Sequence, residues 1–311
     1  MTEPGEQESE QALAKLRENS EMAMARADEF ARRFPKSQTM LELKYWKANA
    51  HWRLAQLDID PANHLKNAEV LTDEIIAAKP PEPLGSNAHI LQIVTAVLRG
   101  DSNRALLGAE TFLKKYPHHE RAAEVQYFIA DTADRLGQID RAKTAARKLV
   151  QNYPKSDEAD AADALLRRLD ILGKPLTDLK FTALDGRKVD MKDYRGKVLL
   201  LDFWATWCGP CRQEMPQVIK TYNDFHAQGF EVIGISLDND QKPLEKYVTD
   251  NQMLWPEFFD GQGWKNALAT RFGIRSIPSN FLVDQKGIVV RADLYGEKLE
   301  QAVKSILTPK K

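Results

Sequence analysis

Residues 198–211 read VLLLDFWATWCGPC, and they include the only two cysteines in this chain of 311 residues. The first half of the stretch is an almost continuous apolar run, which is typical of a strand covered on both faces. A segment with helical character follows from Arg212, so the pattern predicts a strand, a tight turn and a helix. Cys208 and Cys211 fall in the turn, at the start of the predicted helix.

The spacing of the two cysteines indicates redox chemistry. Two thiols separated by two residues beside a βα pattern are placed to form a reversible disulfide. The free N–H groups and the dipole at the helix N-terminus favour the thiolate of Cys208. A structural zinc site would need four ligands, and the six histidines show no ligand spacing to this pair. Two inert buried cysteines would not need the flanking Trp207 or the intervening Gly-Pro, so both alternatives are weaker.

The stretch 201–211 resembles the active-site strand and turn of the thioredoxin superfamily almost residue for residue. Pro216 lies five residues past Cys211, where that family has a proline that kinks its active-site helix. Ile277-Pro278 is similar to the family's cis-proline loop. The resemblance covers residues 174–308 and implies an α/β thioredoxin-like domain, with a central mixed sheet flanked by helices.

Within the superfamily, the chain is most similar to the TlpA/ResA-type branch. Residues 176–196 are predicted to form an N-terminal hairpin, and residues 237–272 insert a segment of helical character that a minimal thioredoxin lacks. Asp202 departs from many members of the branch and instead matches the buried aspartate of ordinary thioredoxins. The branch is largely extracytoplasmic, which implies a periplasmic or membrane-anchored protein whose leader is absent from this chain. A cytoplasmic location is the alternative, because residues 1–10 lack the basic and then apolar order of a signal peptide.

The resemblance implies a role for each candidate site residue. Cys208 attacks a partner disulfide, and Cys211 then resolves the mixed disulfide. Asp202, expected behind Cys211 in an apolar setting, exchanges protons near neutral pH; the alternative is a solvated strand residue. The expected substrate-binding residues are Trp207, Gly209, Pro210, Ile277 and Pro278. The backbone of the proline loop would offer strand-like hydrogen bonds to an extended peptide, unless its proline is an ordinary loop residue.

The residues between the cysteines bear on the direction of electron flow. Gly-Pro supplies no cationic side chain to stabilise the thiolate, so the dithiol is expected to be the better reductant. We therefore predict a reductase of protein disulfides supplied by an upstream dithiol donor. A disulfide oxidase or isomerase, or a scaffold protein whose thioredoxin-like domain senses redox state, are the alternatives. No metal, flavin or nucleotide site is visible, so the only expected redox group is the Cys208–Cys211 disulfide itself.

Composition and length set wider limits. A hydrophobic content of 43% and a net charge of −1 are typical of a soluble globular protein and give no sign of a nucleic-acid surface. No apolar run approaches the length of a membrane span, so no transmembrane segment is expected. The length predicts two domains. We expect them at residues 1–172 and 176–311, joined by a linker at 173–175, where a glycine and a proline follow the last helical pattern.

The first domain contains an internal repeat. Ala, Phe and Pro recur with the spacing A-x3-A-x2-F-x4-P from Ala23 and Ala105, with Leu replacing Phe from Ala142, and more weakly from Ala68. Small alanines let helices approach closely, the larger apolar residue fills the groove, and the proline ends the helix.

This layout resembles the second helix of tetratricopeptide (TPR) repeats. It implies about four helix pairs stacked into a short solenoid. Such repeats are expected to bind a peptide or protein ligand or to form a homodimer; the alternative is that they only dock on the catalytic domain.

The second domain is predicted to alternate strands and helices. Strands are expected near 178–183, 187–190, 197–203, 230–236, 279–284 and 287–293. Helices are expected near 209–227, 241–251, 263–271 and 297–307.

Overall fold

The computed structural model describes residues 4–308. The outermost residues of the two predicted domains, 1–3 and 309–311, lie outside the described residues. Internal contacts divide the chain into two compact units, Met1–Ala145 and Ala146–Lys311. Each unit is built differently, the first from helices and the second around a β-sheet.

The described chain before residue 172 is helical, as the repeat pattern predicts. Within the first unit, each helix packs against the next one along the chain, as stacked helical hairpins do. The helices before residue 172 are α1 (Pro4–Arg33), α2 (Met40–Gln56), α3 (Pro61–Ala77), α4 (Leu84–Leu98), α5 (Ser102–Lys115), α6 (Ala122–Arg135), α7 (Ile139–Asn152) and α8 (Asp157–Ile171).

Most of the recurring alanines are buried among these helices. Ala105, Ala109 and Phe112 of α5 are fully buried, and so are the equivalent residues of α3 and α7. The copy in α1 departs from this pattern, because Ala23 is exposed and Phe30 is only half-buried. Among the helices that the structure describes, α1 packs mainly on α2, and these helices leave its side with Ala23 uncovered.

The second unit contains a hairpin and a five-stranded mixed sheet. The hairpin is β1 (Lys180–Thr182) with β2 (Lys188–Asp190). The sheet strands are β3 (Val198–Trp204), β4 (Phe230–Ser236), β5 (Glu257–Phe258), β6 (Ser279–Val283) and β7 (Val289–Ala292). Their order is β5-β4-β3-β6-β7, with β3 parallel to β4 and antiparallel to β6. Every residue of β3 is buried, so the strand that leads to the cysteines is the centre of the core.

Four α-helices accompany this sheet in the described part of the second unit after residue 172: α9 (Gly209–Phe225), α10 (Gln241–Asp250), α11 (Ala267–Phe272) and α12 (Glu297–Leu307). None of the helices described combines the length and the apolar character that a membrane span requires. Pro216 lies inside α9, about two turns after its start. The arrangement is the mixed sheet with flanking helices that the sequence predicts.

One predicted helix begins in the wrong place. Residues 263–265 form a 3₁₀ turn, and α11 starts only at Ala267. The reason is Asn266, whose extended backbone and side-chain oxygen cap the helix by accepting the N–H groups of Leu268 and Ala269 at 2.9 and 3.0 Å. The short strand β5 was not predicted, because two residues are too few to show an alternating pattern.

Helix α8 packs on α11 within the second unit. Gly273, just after α11, approaches α8 so closely that a Cβ there would overlap the backbone carbonyl of Ala164. Arg168 also pairs with Asp293, with Nη1 and Oδ2 2.5 Å apart. The second compact unit therefore includes α8 and begins before residues 173–175, and the domain linker predicted there stays a prediction.

Candidate active site

The turn between β3 and α9 holds the two cysteines. Cys208 is the N-cap of α9, and the backbone N–H of Cys211 donates to its Sγ at 3.1 Å. Pro210 lies in the first turn, where backbone N–H groups have no acceptor within the helix, so the missing N–H of proline costs no hydrogen bond. The sulfur of Cys208 therefore sits at the positive end of the helix, which is the setting that stabilises a thiolate.

The two cysteines are joined in a disulfide, with their Cα atoms 5.3 Å apart. Cys211 is 1% exposed, as expected for a resolving residue, but Cys208 is only 5% exposed despite its place at the start of the helix. The backbone of the proline loop accounts for this burial, since the carbonyl oxygen of Ile277 lies 3.7 Å from the sulfur of Cys208. The backbone of this loop therefore covers one side of the Cys208 sulfur.

The proline loop immediately precedes β6. The Ile277–Pro278 peptide bond is cis, and both residues are half-buried. The carbonyl of Pro278 accepts a hydrogen bond from the hydroxyl of Tyr295 at 2.7 Å. This bond and the start of β6 hold the loop against the disulfide, with part of its surface open to solvent.

Asp202 lies in β3, between Gly234 of β4 and Asn280 of β6 in the sheet register. Its side chain is 5% exposed, so the solvated alternative does not describe it. Burial, together with the smaller effect of the nearby charge of Glu214, raises the pKa of Asp202 to about 7. Asp202 and Cys211 line the same small cavity, which places a titratable carboxyl next to the buried sulfur.

Glu214 is a site residue that the sequence analysis missed. It lines the cavity shared by Asp202 and Cys211, and its Oε2 accepts the backbone N–H of Gly296 at 2.9 Å. The available signal was its position three residues after Cys211, which is one helical turn and therefore the same face of α9.

Glu257 is a second missed residue, and it is 2% exposed. Its two carboxylate oxygens accept the indole N–H groups of Trp204 and Trp255 at 3.0 and 2.8 Å. Burial raises its pKa to about 8, and the charge of Asp202 acts in the same direction. The sequence did not indicate Glu257 as a site residue, because β5 contains only two residues and so shows no strand pattern.

Gly234 explains how Glu257 comes to face Asp202. The two carboxylates occupy β5 and β3, on either side of Gly234 in β4, and residues in register point to the same face of a sheet. A Cβ at Gly234 would overlap the carboxylate of Glu257, so the glycine makes room for that side chain. The sheet thus carries two buried carboxyl groups on one face beneath the cysteine turn.

The predicted partner-binding residues surround the buried sulfur of Cys208. Gly209 and Pro210 are exposed, and nothing lies within 4 Å of the position that a Cβ on Gly209 would take. Trp207 is 52% exposed, and its ring lies 6.0 Å from that of Trp264, centroid to centroid. Trp204, by contrast, is buried as a packing residue. The structure brings Trp207, Gly209, Pro210, Ile277 and Pro278 together around one entrance.

Both parts of the chain match families of known proteins. The profile of the AhpC/TSA family matches residues 172–292, and that of the tetratricopeptide repeat matches residues 124–156, which span α6 and α7. The second match confirms the predicted resemblance to TPR repeats.

Several relatives align with the second half of the chain. The thiol-disulfide oxidoreductase ResA of Bacillus thuringiensis strain Al Hakam is 31% identical over 136 residues, which are 44% of this chain and 76% of that protein. The thioredoxin-like protein YneN of Bacillus subtilis is 30% identical over 120 residues, covering 38% of this chain and 68% of YneN. The solved thioredoxin domain of a thiol-disulfide oxidoreductase from Bacteroides vulgatus is 28% identical, with a TM-score of 0.41, covering 44% of this chain and 98% of that one.

Proposed function

Because this chain belongs to the ResA-type thiol-disulfide oxidoreductases of the thioredoxin superfamily, we propose that it reduces disulfides in other proteins through Cys208 and Cys211. The observation that carries the proposal is the position of Cys208, whose sulfur caps α9 and lies beneath the backbone of Ile277. The surrounding exposed residues leave room for an extended client chain. The redox group is the cysteine pair itself, with no metal or other cofactor.

Reduction of a client proceeds in two exchanges. The thiolate of Cys208 attacks one sulfur of the client disulfide, forming a mixed disulfide and releasing the other client sulfur as a thiolate. Cys211 then attacks the sulfur of Cys208, which releases the second client sulfur and closes the Cys208–Cys211 disulfide. Two electrons pass from the dithiol to the client. An upstream dithiol protein returns them by the same chemistry in reverse.

Asp202 serves the second exchange. Cys211 is almost fully buried, and a buried thiol resists ionisation, so it needs a base at hand. Asp202 lines the same cavity, and its pKa of about 7 lets it accept a proton near neutral pH. The thiol proton of Cys211 passes to Asp202 as its sulfur attacks Cys208.

The direction of electron flow follows from the turn between the cysteines. Gly209 and Pro210 are exposed and uncharged, so neither stabilises the thiolate as a cationic residue would. A less stabilised dithiol gives up its electrons more readily. This supports a reductase over an oxidase or isomerase.

The helical repeats, in this proposal, bind a peptide or protein ligand and hold clients near the cysteine pair. The protein is proposed to work outside the cytoplasm, where disulfide-containing clients are common.

The reduction potential of the cysteine pair tests the proposal. The protein is equilibrated in defined thiol buffers, and tryptophan fluorescence reports the oxidised fraction. A potential near thioredoxin's, about −270 mV, would support a reductase, whereas one near about −120 mV would make the protein a disulfide donor. Absence of any reversible couple would leave the repeats as the working part of a scaffold protein.

A further inference from the structure

Two large aromatic side chains stand in solvent beside the active-site entrance. Trp207 is 52% exposed and Trp264 is 49% exposed, and their rings lie 6.0 Å apart at an angle of 56°. Trp204 and Trp255, in contrast, are buried and donate to Glu257. Exposed tryptophan pairs gain the most when a partner covers them, which is why tryptophan is common at the energetic centres of interfaces.

The loop that carries Trp264 is fastened to the end of β4. Asn266 donates from Nδ2 to the carbonyl of Ser236 at 3.1 Å and to the carboxylate of Asp260 at 3.2 Å. Gly263 has a φ of +53°, and a Cβ there would come within 2.6 Å of the side-chain oxygen of Asn239. These contacts hold the 3₁₀ turn of Trp264 in one place.

The loop that carries Trp207 is fastened to the same end of β4. Asp238 accepts the backbone N–H of Thr206 at 3.1 Å and its hydroxyl at 2.5 Å. Ser236 also donates its hydroxyl to Asp238 at 2.8 Å. Both tryptophans are therefore positioned by residues 236–239, so the pair is organised before any partner arrives, and binding costs less conformational entropy.

We infer that Trp264 forms, together with Trp207, an apolar platform that selects clients with an aromatic or large aliphatic side chain next to the disulfide cysteine. The inference rests on the proposed function, because a client disulfide must reach the sulfur of Cys208, the residue after Trp207 in the chain. A client strand held against the backbone of Ile277 advances about 3.3 Å per residue. The two rings, 6.0 Å apart, cover the neighbours of the client cysteine.

Trp264 is thus a specificity-determining residue, which affects the choice of client and takes no part in the electron transfer. A small disulfide with no flanking side chain would not contact it. A polar residue beside the client cysteine would give the rings of Trp207 and Trp264 no apolar side chain to contact. Removing Trp264 should therefore change which disulfides are reduced quickly, while the chemistry of the cysteine pair stays the same.

The test compares the full chain with Trp264→Ala, Trp264→Phe and a control, Leu254→Ala. Leu254 is 64% exposed and lies between α10 and β5, so its truncation removes an exposed apolar side chain that the proposal does not use. The substrates are two disulfide-bridged peptides that differ only in Phe or Ser beside the cysteine, and bis(2-hydroxyethyl) disulfide. Rates are expressed as kcat/KM, and the reduction potential is measured for each variant.

We expect Trp264→Ala to lower kcat/KM for the Phe peptide by about tenfold, the effect of losing one well-formed aromatic contact. For this variant, kcat/KM for the Ser peptide and the small disulfide should stay within about twofold of the unmodified protein, and the reduction potential should not change. Trp264→Phe should retain most of the preference, and Leu254→Ala should match the unmodified protein. Equal losses for both peptides, or no preference in the unmodified protein, would overturn the inference and leave the proposed function standing. A protein that reduces none of the three disulfides would overturn both.

Discussion

At the scale of single residues, the two cysteines have different surroundings, and replacing each of them should block a different step of the reaction. Cys208→Ser removes the attacking sulfur and should abolish turnover of protein disulfides. Cys211→Ser leaves the attack intact but removes the resolving sulfur, so mixed disulfides should accumulate. Non-reducing gel electrophoresis with a disulfide client distinguishes the two, and accumulation with Cys208→Ser instead would reverse the assigned roles.

Asp202 should affect the second exchange more than the first. Because its pKa is about 7, the rate at which Cys211 releases the client should rise with pH through that value. Asp202→Asn should slow this release and remove its pH dependence near neutrality, with little change in the initial attack. Stopped-flow measurement of both phases from pH 5 to 9 checks the prediction. Equal losses in both phases would exclude Asp202 from the proton transfer.

Glu257 should make stability depend on pH. Its pKa rises from 4.5 to about 8 on folding, so between these values the folded protein holds a proton that the unfolded chain releases. The free energy of unfolding should therefore fall as pH rises from 4.5 to 8. Asp202 contributes in the same direction up to about pH 7.

The variant Glu257→Gln isolates this contribution. Its amide has one oxygen for two indole donors, so one hydrogen bond is lost, which costs about 1–3 kcal/mol. The variant should be less stable than the unmodified protein at pH 5, and the difference should narrow toward pH 9, where the unmodified protein carries the buried charge. Urea unfolding of both proteins from pH 5 to 9 tests the prediction. If the free energies of unfolding of the two proteins change with pH in parallel, Glu257 has the same protonation in the folded and unfolded states.

At the scale of elements, the sequence predicted best where patterns are long and local. The apolar run of β3 and the amphipathic span 297–307 of α12 were both located correctly. The repeat of alanines and prolines located α3, α5 and α7. These features depend on residues close together in the chain, so periodicity and breakers suffice to find them.

The elements and site residues that were missed depend on distant partners. β5 is defined only by its pairing with β4, and Glu257 becomes a site residue only because Gly234 leaves space for it. The start of α11 depends on the cap provided by Asn266, within a stretch whose pattern favoured a longer helix. Cysteine spacing identified the redox pair from sequence, whereas the burial of Cys208 under Ile277 required the folded chain.

The cap of α11 offers a prediction at this scale. Asn266→Ala removes two hydrogen bonds to helix N–H groups and the bonds from its amide to Ser236 and Asp260. Loss of the cap alone should lower stability by about 1–2 kcal/mol. Asn266→Asp restores the capping oxygen and should recover part of the loss. Urea unfolding of both variants is the measurement, and equal losses would show that capping is not what Asn266 contributes.

At the scale of the whole molecule, helix α8 belongs in sequence with the repeats but packs in the unit that holds the cysteines. A fragment of residues 174–311 should lose the covering of Gly273 and the pairing of Asp293 with Arg168. It should unfold at lower urea concentration than a fragment of residues 146–311, and reduce insulin more slowly. Equal stability of the two fragments would show that α8 adds nothing to this unit.

The place of α8 also bears on how such a protein could be assembled or taken apart by genetic recombination. A crossover in the linker predicted at 173–175 would separate Gly273 from the carbonyl of Ala164, which it is shaped to meet. A recombination that keeps the packing of this unit intact must therefore start before Asp157, the first residue of α8. The gene that receives the unit gains α8 together with the oxidoreductase, and the gene that loses it keeps a set of repeats that is one helix shorter.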